Sequence, residues 1–460
     1  MPDQITTINP TTGKVLSTYE SMPWARIDGI LADAAHAQQA WARTDIAARS
    51  ETLLAVAAEL RRSLDELAML AVHEMGKPVA EAKAEVEKCA WVCEYYAQES
   101  PRALADEQVE ASGSRSWTSY EPLGTVLAIM PWNFPYWQVF RFAAPALAAG
   151  NAALLKHSPN VTACALAVQE VFEAAGLPEH LFTTILIAEP DVPTMVTRII
   201  EDDRVSAVTL TGSNRAGAHV AMAAGKAVKK SVLELGGSDP FVVLGDADLD
   251  TVIPKAVVSR FLNGGQSCLS AKRFIVERAI AEEFARRFAA AVAEMAVGDP
   301  TDPATRIGPL ARVDLAHGLH RQVQESITAG ARALVGGQPL TEGSAFYAPT
   351  VLVDVTVDMP VMAEETFGPA AAVIAFDTDR DAARLANLTP YGLGASVWSR
   401  DETRALAVGK QIHSGALFIN AVVASDPRLP FGGVKQSGYG RELGTPGARE
   451  FTNVRTVLVG

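Results

Sequence analysis

Short β-branched runs, each followed by a helical stretch, recur along most of this chain, and that alternation restricts it to an α/β fold built on parallel sheets. Residues 126–130, 153–155, 184–187 and 205–210 form one series of predicted strands. A second series comprises 240–244, 274–276, 371–376, 395–398 and 416–419, with a helix expected across 279–295. Two doubly wound parallel-sheet domains are therefore expected. Ahead of them, residues 26–105 read as helical: Leu53, Leu54, Ala57 and Leu60 repeat at three-to-four spacing, and Gly76 is a natural stop. The tail, 450–459, is strand-like and has no partner following it. Because a bare edge invites aggregation, it is expected to pair with the 112–122 segment and then with another subunit.

A length of 460 residues suits two or three such domains. There is no run of eighteen apolar residues, and Met1-Pro2-Asp3-Gln4 lacks a charged-then-apolar leader, so a cytoplasmic protein without a membrane span is expected. The net charge of −13 leaves no basic surplus for a phosphate backbone, so no nucleic-acid partner is expected. Cys89, Cys93, Cys164 and Cys268 show neither zinc-site spacing nor the density of a disulfide framework. The first three read as small buried packing residues. His317 and His320 lie three apart but have no carboxylate pattern beside them; they read as a solvated helix face, and no metal site is expected. His157 reads as packed against the sheet.

Cys268 differs from the other cysteines. It follows Asn263-Gly264-Gly265-Gln266-Ser267, a loop poor in side chains that gives a nucleophile backbone room. A free thiol is only a few per cent ionised near neutrality, so the site must lower its pKa or supply a base. Glu234, in Glu234-Leu235-Gly236-Gly237, is the candidate base, too far along the chain to share a helix face with Cys268 and able to meet it only where two loops converge. Asn133, between Pro131-Trp132 and Phe134-Pro135 directly after a predicted strand, offers an amide to a developing oxyanion, although an asparagine between prolines also serves simply as a turn residue. The stretch from Val208 to Gly217 runs from a strand into a glycine-flanked helix start whose free amides suit a phosphate. Lys156 closes another predicted strand facing the same crevice.

Taken in order, Pro131-Trp132-Asn133, Leu155-Lys156, Thr211-Gly212-Ser213, Glu234-Leu235-Gly236-Gly237, Gly265-Gln266-Ser267-Cys268, Glu364-Glu365-Thr366-Phe367-Gly368-Pro369 and Pro430–Gly438 resemble the NAD(P)-dependent, non-acylating aldehyde dehydrogenases. The resemblance implies Cys268 as nucleophile, Glu234 as base and Asn133 as oxyanion donor. It places Lys156 on the adenine ribose, Ser213 on the pyrophosphate, Glu365 and Phe367 at the nicotinamide ribose and ring, and Trp132 beside the cofactor. The implied fold is a cofactor-binding domain (1–111 and 123–235), a catalytic domain (236–436) and a β-hairpin oligomerisation element (112–122 and 437–460), assembled as a homodimer or homotetramer. Trp137–Arg141, Leu154–His157, Leu235–Pro240, Ala271–Val276 and Ala424–Asp426 are similar to the succinate-semialdehyde dehydrogenases of that family. This implies a small-molecule aldehyde substrate with a distal carboxylate, met at the entrance by Trp137, Arg141 and Ser425. Arginine suits a carboxylate because it donates two parallel bonds, although Arg141 also reads as a structural ion-pair residue on a helix. Alternatives are a broader aldehyde oxidiser and a coenzyme-A-acylating enzyme; the latter has no use for a water-activating Glu234. Pro159, three residues after Lys156, stands where NAD-preferring relatives often carry a glutamate; proline neither bonds the 2′-hydroxyl nor repels a 2′-phosphate, so the cofactor is NAD or NADP. Cys268-Leu269-Ser270 lacks the second cysteine of redox-switched relatives.

Overall fold

The computed structural model describes residues 4–460. Its first large sheet has six strands in the order Gly438–Tyr439, Lys230–Glu234, Val205–Thr211, Thr125–Met130, Ala152–His157 and Phe182–Thr184. All pairs are parallel except the one made by Gly438–Tyr439. Chain order runs outward in both directions from Thr125–Met130, so the topological switch point lies between that strand and Val205–Thr211. In open α/β sheets the crevice outside the C-terminal ends of such a strand pair is where ligands bind.

The strand expected at 184–187 is in fact Phe182–Thr184. Beyond Thr184 the chain leaves the sheet edge, and the Leu186 carbonyl accepts from the Met22 amide at 2.8 Å. The expected helical region resolves into Trp24–Trp41, Ile46–Arg62, Leu64–Met75 and Val79–Ala103. Gly76 ends the third of these at φ 75°, a left-handed conformation that glycine adopts without steric cost. These helices share one core with the sheet: Val56, Leu60, Val86, Cys89 and Cys93 are buried with Val126, Ala128, Phe140 and Leu155. An antiparallel pair, Gln4–Ile8 with Val15–Glu20, precedes them and was not anticipated.

The second sheet has seven strands in the order Arg332–Val335, Thr350–Val353, Ala370–Phe376, Ala271–Glu277, Asp239–Val243, Gly394–Trp398 and Ala416–Ile419. It is parallel apart from the edge strand Arg332–Val335, and its central strands are buried on both faces, as crossover-covered parallel strands must be. The expected helix at 279–295 is Arg278–Ala293.

The tail strand Thr452–Val459 pairs antiparallel with Arg115–Pro122, which also pairs with the short strand Glu107–Gln108. The extended element is therefore three-stranded. Only residues from Thr452 onward belong to it, because Gly438–Tyr439 joins the six-stranded sheet and the helix Gly444–Arg449 packs on Val79–Ala103 and Trp137–Ala148. Of the described helices, none is long and apolar enough to cross a membrane.

Candidate active site

The two large sheets meet end to end. Glu234 is the last residue of its strand in the six-stranded sheet, and five residues later Asp239 begins a strand of the seven-stranded one. Cys268 lies three residues before the N-terminal end of Ala271–Glu277, and Phe367 three residues before Ala370–Phe376. The C-terminal edge of one sheet thus faces the N-terminal edge of the other.

Two glycines allow the loops to close on each other. A Cβ on Gly237 would lie 2.5 Å from the Cys268 carbonyl oxygen, so the Glu234 and Cys268 loops touch backbone to backbone only because residue 237 has no side chain. A Cβ on Gly265 would lie 2.4 Å from the Gly368 carbonyl oxygen, which draws in the Glu365–Phe367 loop in the same way. Asn263, Gly264 and Gly265 take successive φ values of 56°, 61° and 73°, a left-handed run that only asparagine and glycine adopt readily.

This loop is densely bonded. The Asn263 amide NH donates to Glu81 Oε2 (2.7 Å), and the Asn263 side chain donates to the Asn133 carbonyl (2.7 Å). Gln266 accepts from the Ala311 amide at 2.9 Å. Lys272 Nζ donates to the carbonyls of Ser267 (3.0 Å) and Cys268 (2.9 Å) and pairs with Glu365 Oε1 at 3.3 Å. Asn133 is buried. Its Nδ2 donates to the Gln266 carbonyl (2.9 Å), which leaves the second N–H of the same amide for another acceptor, and its Oδ1 accepts from Gln138 at 3.1 Å.

Cys268 is half-buried, and burial pushes its thiol up to about 12 against the opposing pull of Lys272 and Arg141; Glu365 and Glu234 add to the rise. The resting thiol is protonated. Glu234 is buried, and burial, reinforced by Glu442, holds its carboxyl well above the ordinary range. Neither of its carboxylate oxygens has a hydrogen-bond partner among the described residues.

Arg141, on the helix Trp137–Ala148, ion-pairs with buried Glu442 (Nε–Oε2 2.5 Å), donates from Nη2 to Thr211 Oγ1 at 3.3 Å and stacks 4.6 Å from the centre of the Phe431 ring. The ion-pair reading of Arg141 is thus realised in the structure. Trp137 and Ser425 are brought together by Lys88, whose Nζ donates to Ser425 Oγ (2.8 Å) and sits 4.2 Å over the Trp137 ring.

On the nucleotide side, Ser213 caps the helix Asn214–Lys226, accepting from the Ala216 amide at 3.3 Å, and both follow Val205–Thr211 at the switch point. Lys156 is buried near the end of Ala152–His157, with no hydrogen bond or ion pair among the described residues; burial lowers its pKa to about 8. Trp132 and Phe367 meet edge to face with ring centres 5.7 Å apart. A buried cation without a partner, a helix N-terminus at the switch point and an aromatic pair are groups that suit the ribose, phosphates and ring of a nicotinamide dinucleotide.

Sequence reasoning did not assign roles to Lys88, Lys272, Glu442, Glu81 or Gln138. Glu442 stands just beyond the recognised Pro430–Gly438 run, and Lys88 lies on a helix read only for its packing. His320, expected on a solvated face, bonds the Tyr347 hydroxyl at 3.2 Å, because its helix packs that side against Tyr347. His157 is buried, its Nε2 2.9 Å from the Pro135 carbonyl. Cys89, Cys93 and Cys164 are buried and free.

A half-exposed thiol, a buried carboxyl without a hydrogen-bond partner and a buried lysine without one are thus carried on the loops and strand ends where the two sheets meet. The Aldehyde dehydrogenase family matches residues 1–457, and the chain belongs to that family. It is 47% identical over 455 residues to the probable succinate-semialdehyde dehydrogenase [NADP(+)] of Synechocystis, covering 99% of each chain. It is 46% identical to the Escherichia coli succinate semialdehyde dehydrogenase [NAD(P)+] Sad, covering 98% of this chain and 96% of that one. The crystal structure of succinic semialdehyde dehydrogenase from Streptococcus pyogenes in complex with NADP+ superposes with a TM-score of 0.95 at 35% identity, covering 99% of each chain.

Proposed function

We propose that the protein oxidises succinic semialdehyde to succinate with NADP or NAD, through a covalent intermediate on Cys268. The observation that carries this reading is the contact of the Glu234 and Cys268 loops across Gly237, in a chain nearly half identical over its full length to enzymes named for that reaction. Lys156, Ser213, Trp132, Glu365 and Phe367 hold the nucleotide, which supplies the hydride acceptor when bound. The absence of an acidic side chain at Pro159 supports acceptance of the 2′-phosphate, and three similar proteins are named for or crystallised with NADP.

In the first half of the reaction the Cys268 sulfur bonds to the aldehyde carbon as the carbonyl π bond opens to an oxyanion, and the thiol proton is lost to bulk solvent. The oxyanion accepts from the free N–H of Asn133, a donor worth about 3 kcal/mol of barrier. Once hydride has left the same carbon, a thioester on Cys268 remains. In the second half Glu234 takes a proton from water, which attacks the thioester and releases succinate and the thiol. Burial holds this carboxyl above the ordinary range, so it binds a proton more readily than an exposed carboxylate, which suits a group that accepts a proton from water and returns it. Arg141, Trp137 and Ser425 line the end of the pocket away from the sulfur.

Steady-state assays of succinic semialdehyde and uncharged butanal with each nucleotide test the reading. The carboxylated aldehyde is expected to give the higher kcat/KM, and Cys268→Ala is expected to abolish oxidation of both. Equal kcat/KM for the two aldehydes refutes the substrate, and wild-type rates from Cys268→Ala refute the mechanism.

A further inference from the structure

Lys88 is a cation without an anion. It lies on Val79–Ala103 one turn after Glu85, whose Oε1 accepts from the amides of Tyr136 (2.8 Å) and Trp137 (2.9 Å) at the start of the Trp137–Ala148 helix. That anchoring places Lys88 against the Trp137 ring, with the Ser425 hydroxyl as its hydrogen-bond acceptor. Every carboxylate near enough to act on it is committed elsewhere. Glu85 is held by Lys77 and the two amides, and Asp426 by Arg428 at 2.6 Å. Among the described residues no carboxylate forms an ion pair with Lys88.

A half-buried ammonium with only a hydroxyl and a ring face for company is under-compensated, and a second cation, Arg141, sits close enough to disfavour its charge further. Burial and Arg141 together bring Lys88 down to about 8. Such an arrangement is relieved by an anionic group that binds beside Lys88. The Arg141 guanidinium is already balanced by Glu442, whereas the Lys88 charge awaits a partner.

We propose that Lys88, with Ser425 beside it, receives the distal carboxylate of the substrate and sets the preference for carboxylated over uncharged aldehydes. This rests on the substrate reading above and assigns its selectivity to a residue that the motifs do not include. Arg141 then has a double duty, steadying Glu442 and Glu234 while contributing field to the pocket, and Lys88 carries the discrimination.

The test compares wild type, Lys88→Met and Lys88→Arg at saturating nucleotide. Methionine keeps the stem over Trp137 and removes the charge. Its KM for succinic semialdehyde is expected to rise tenfold or more, on the order of one charge-assisted hydrogen bond, with kcat little altered. The ratio of kcat/KM for succinic semialdehyde to that for butanal falls by the same factor, and Lys88→Arg restores most of it. Inhibition of butanal oxidation by succinate, which reads the carboxylate site directly, weakens in parallel in Lys88→Met. Equal changes in KM for both aldehydes, or succinate inhibition unaltered in Lys88→Met, overturns the proposal even where wild type prefers succinic semialdehyde. Wild type that fails to prefer succinic semialdehyde overturns the substrate reading instead, and succinate inhibition then still decides whether Lys88 binds a carboxylate. Thermal melts of the variants exclude misfolding as the cause.

Discussion

The two faces of the active site are built in opposite ways. On the side of the seven-stranded sheet, the loop carrying Cys268 is tied down by Asn263, Gln266 and Lys272, with carbonyls and amides engaged by named partners. On the side of the six-stranded sheet, the functional groups are left open: Glu234 is buried without a hydrogen bond, and Lys156 is buried without a partner. Unpaired polar groups in an interior are costly, so their survival marks places where a transient ligand completes the bonding. Under the proposed function the contrast has a reason: a nucleophile gains from being fixed, whereas a water-activating base and a nucleotide-binding cation exchange what they hold.

The largest effect is expected on the open side. Glu234→Gln is predicted to lower steady-state turnover by roughly a hundredfold to ten-thousandfold while sparing a first burst of reduced nucleotide, since the base acts after hydride transfer. Loss of the burst and the steady state together would move Glu234 into the first half-reaction. The same variant is predicted to be more heat-stable than wild type. Because folded Glu234 keeps its proton above the pH at which the unfolded chain releases it, the wild type loses stability as pH rises past the usual carboxylate range. The difference in Tm should therefore be larger at pH 8 than at pH 5, and a difference that shrinks with pH would refute it.

The braced side is tested by Gly237→Ala. With a methyl 2.5 Å from the Cys268 carbonyl, one loop must move, and a displacement of about 1 Å at the reacting atoms is expected to cost on the order of a hundredfold in kcat. Unchanged kcat would mean that the bracing is dispensable. The smallest effect is expected from Lys156→Met: about a tenfold rise in KM for the nucleotide, the size of one lost hydrogen bond to a charged group, with aldehyde KM unmoved. A shift confined to the aldehyde would take Lys156 out of the nucleotide site.

Much of the fold was legible because parallel strands buried on both faces read as continuous apolar runs, as in residues 240–244 and 274–276. The strands that escaped notice are those with weaker burial or poorer alternation. Val15–Glu20 is exposed almost throughout, and Arg332–Val335 is an edge strand only partly covered. In the site, Cys268, Glu234 and Asn133 stood out because each sits in a glycine- or proline-marked loop. Lys88 and Glu442 did not, since a lysine in a charged helix and a glutamate beside an arginine look like solvated surface until tertiary packing removes the water. Arg141 was legible as a cation at the pocket, but its partner Glu442 lies 301 positions away and no local pattern links them.

That separation has a consequence for how the protein is made. When Cys268 and Glu234 have both been synthesised, Arg141 still lacks its counter-charge, which arrives only with residue 442. The strand Gly438–Tyr439, which closes the edge next to Glu234, arrives at the same moment. A chain interrupted between residues 268 and 442 therefore carries Arg141 without its counter-charge and Glu234 without the strand that closes its edge.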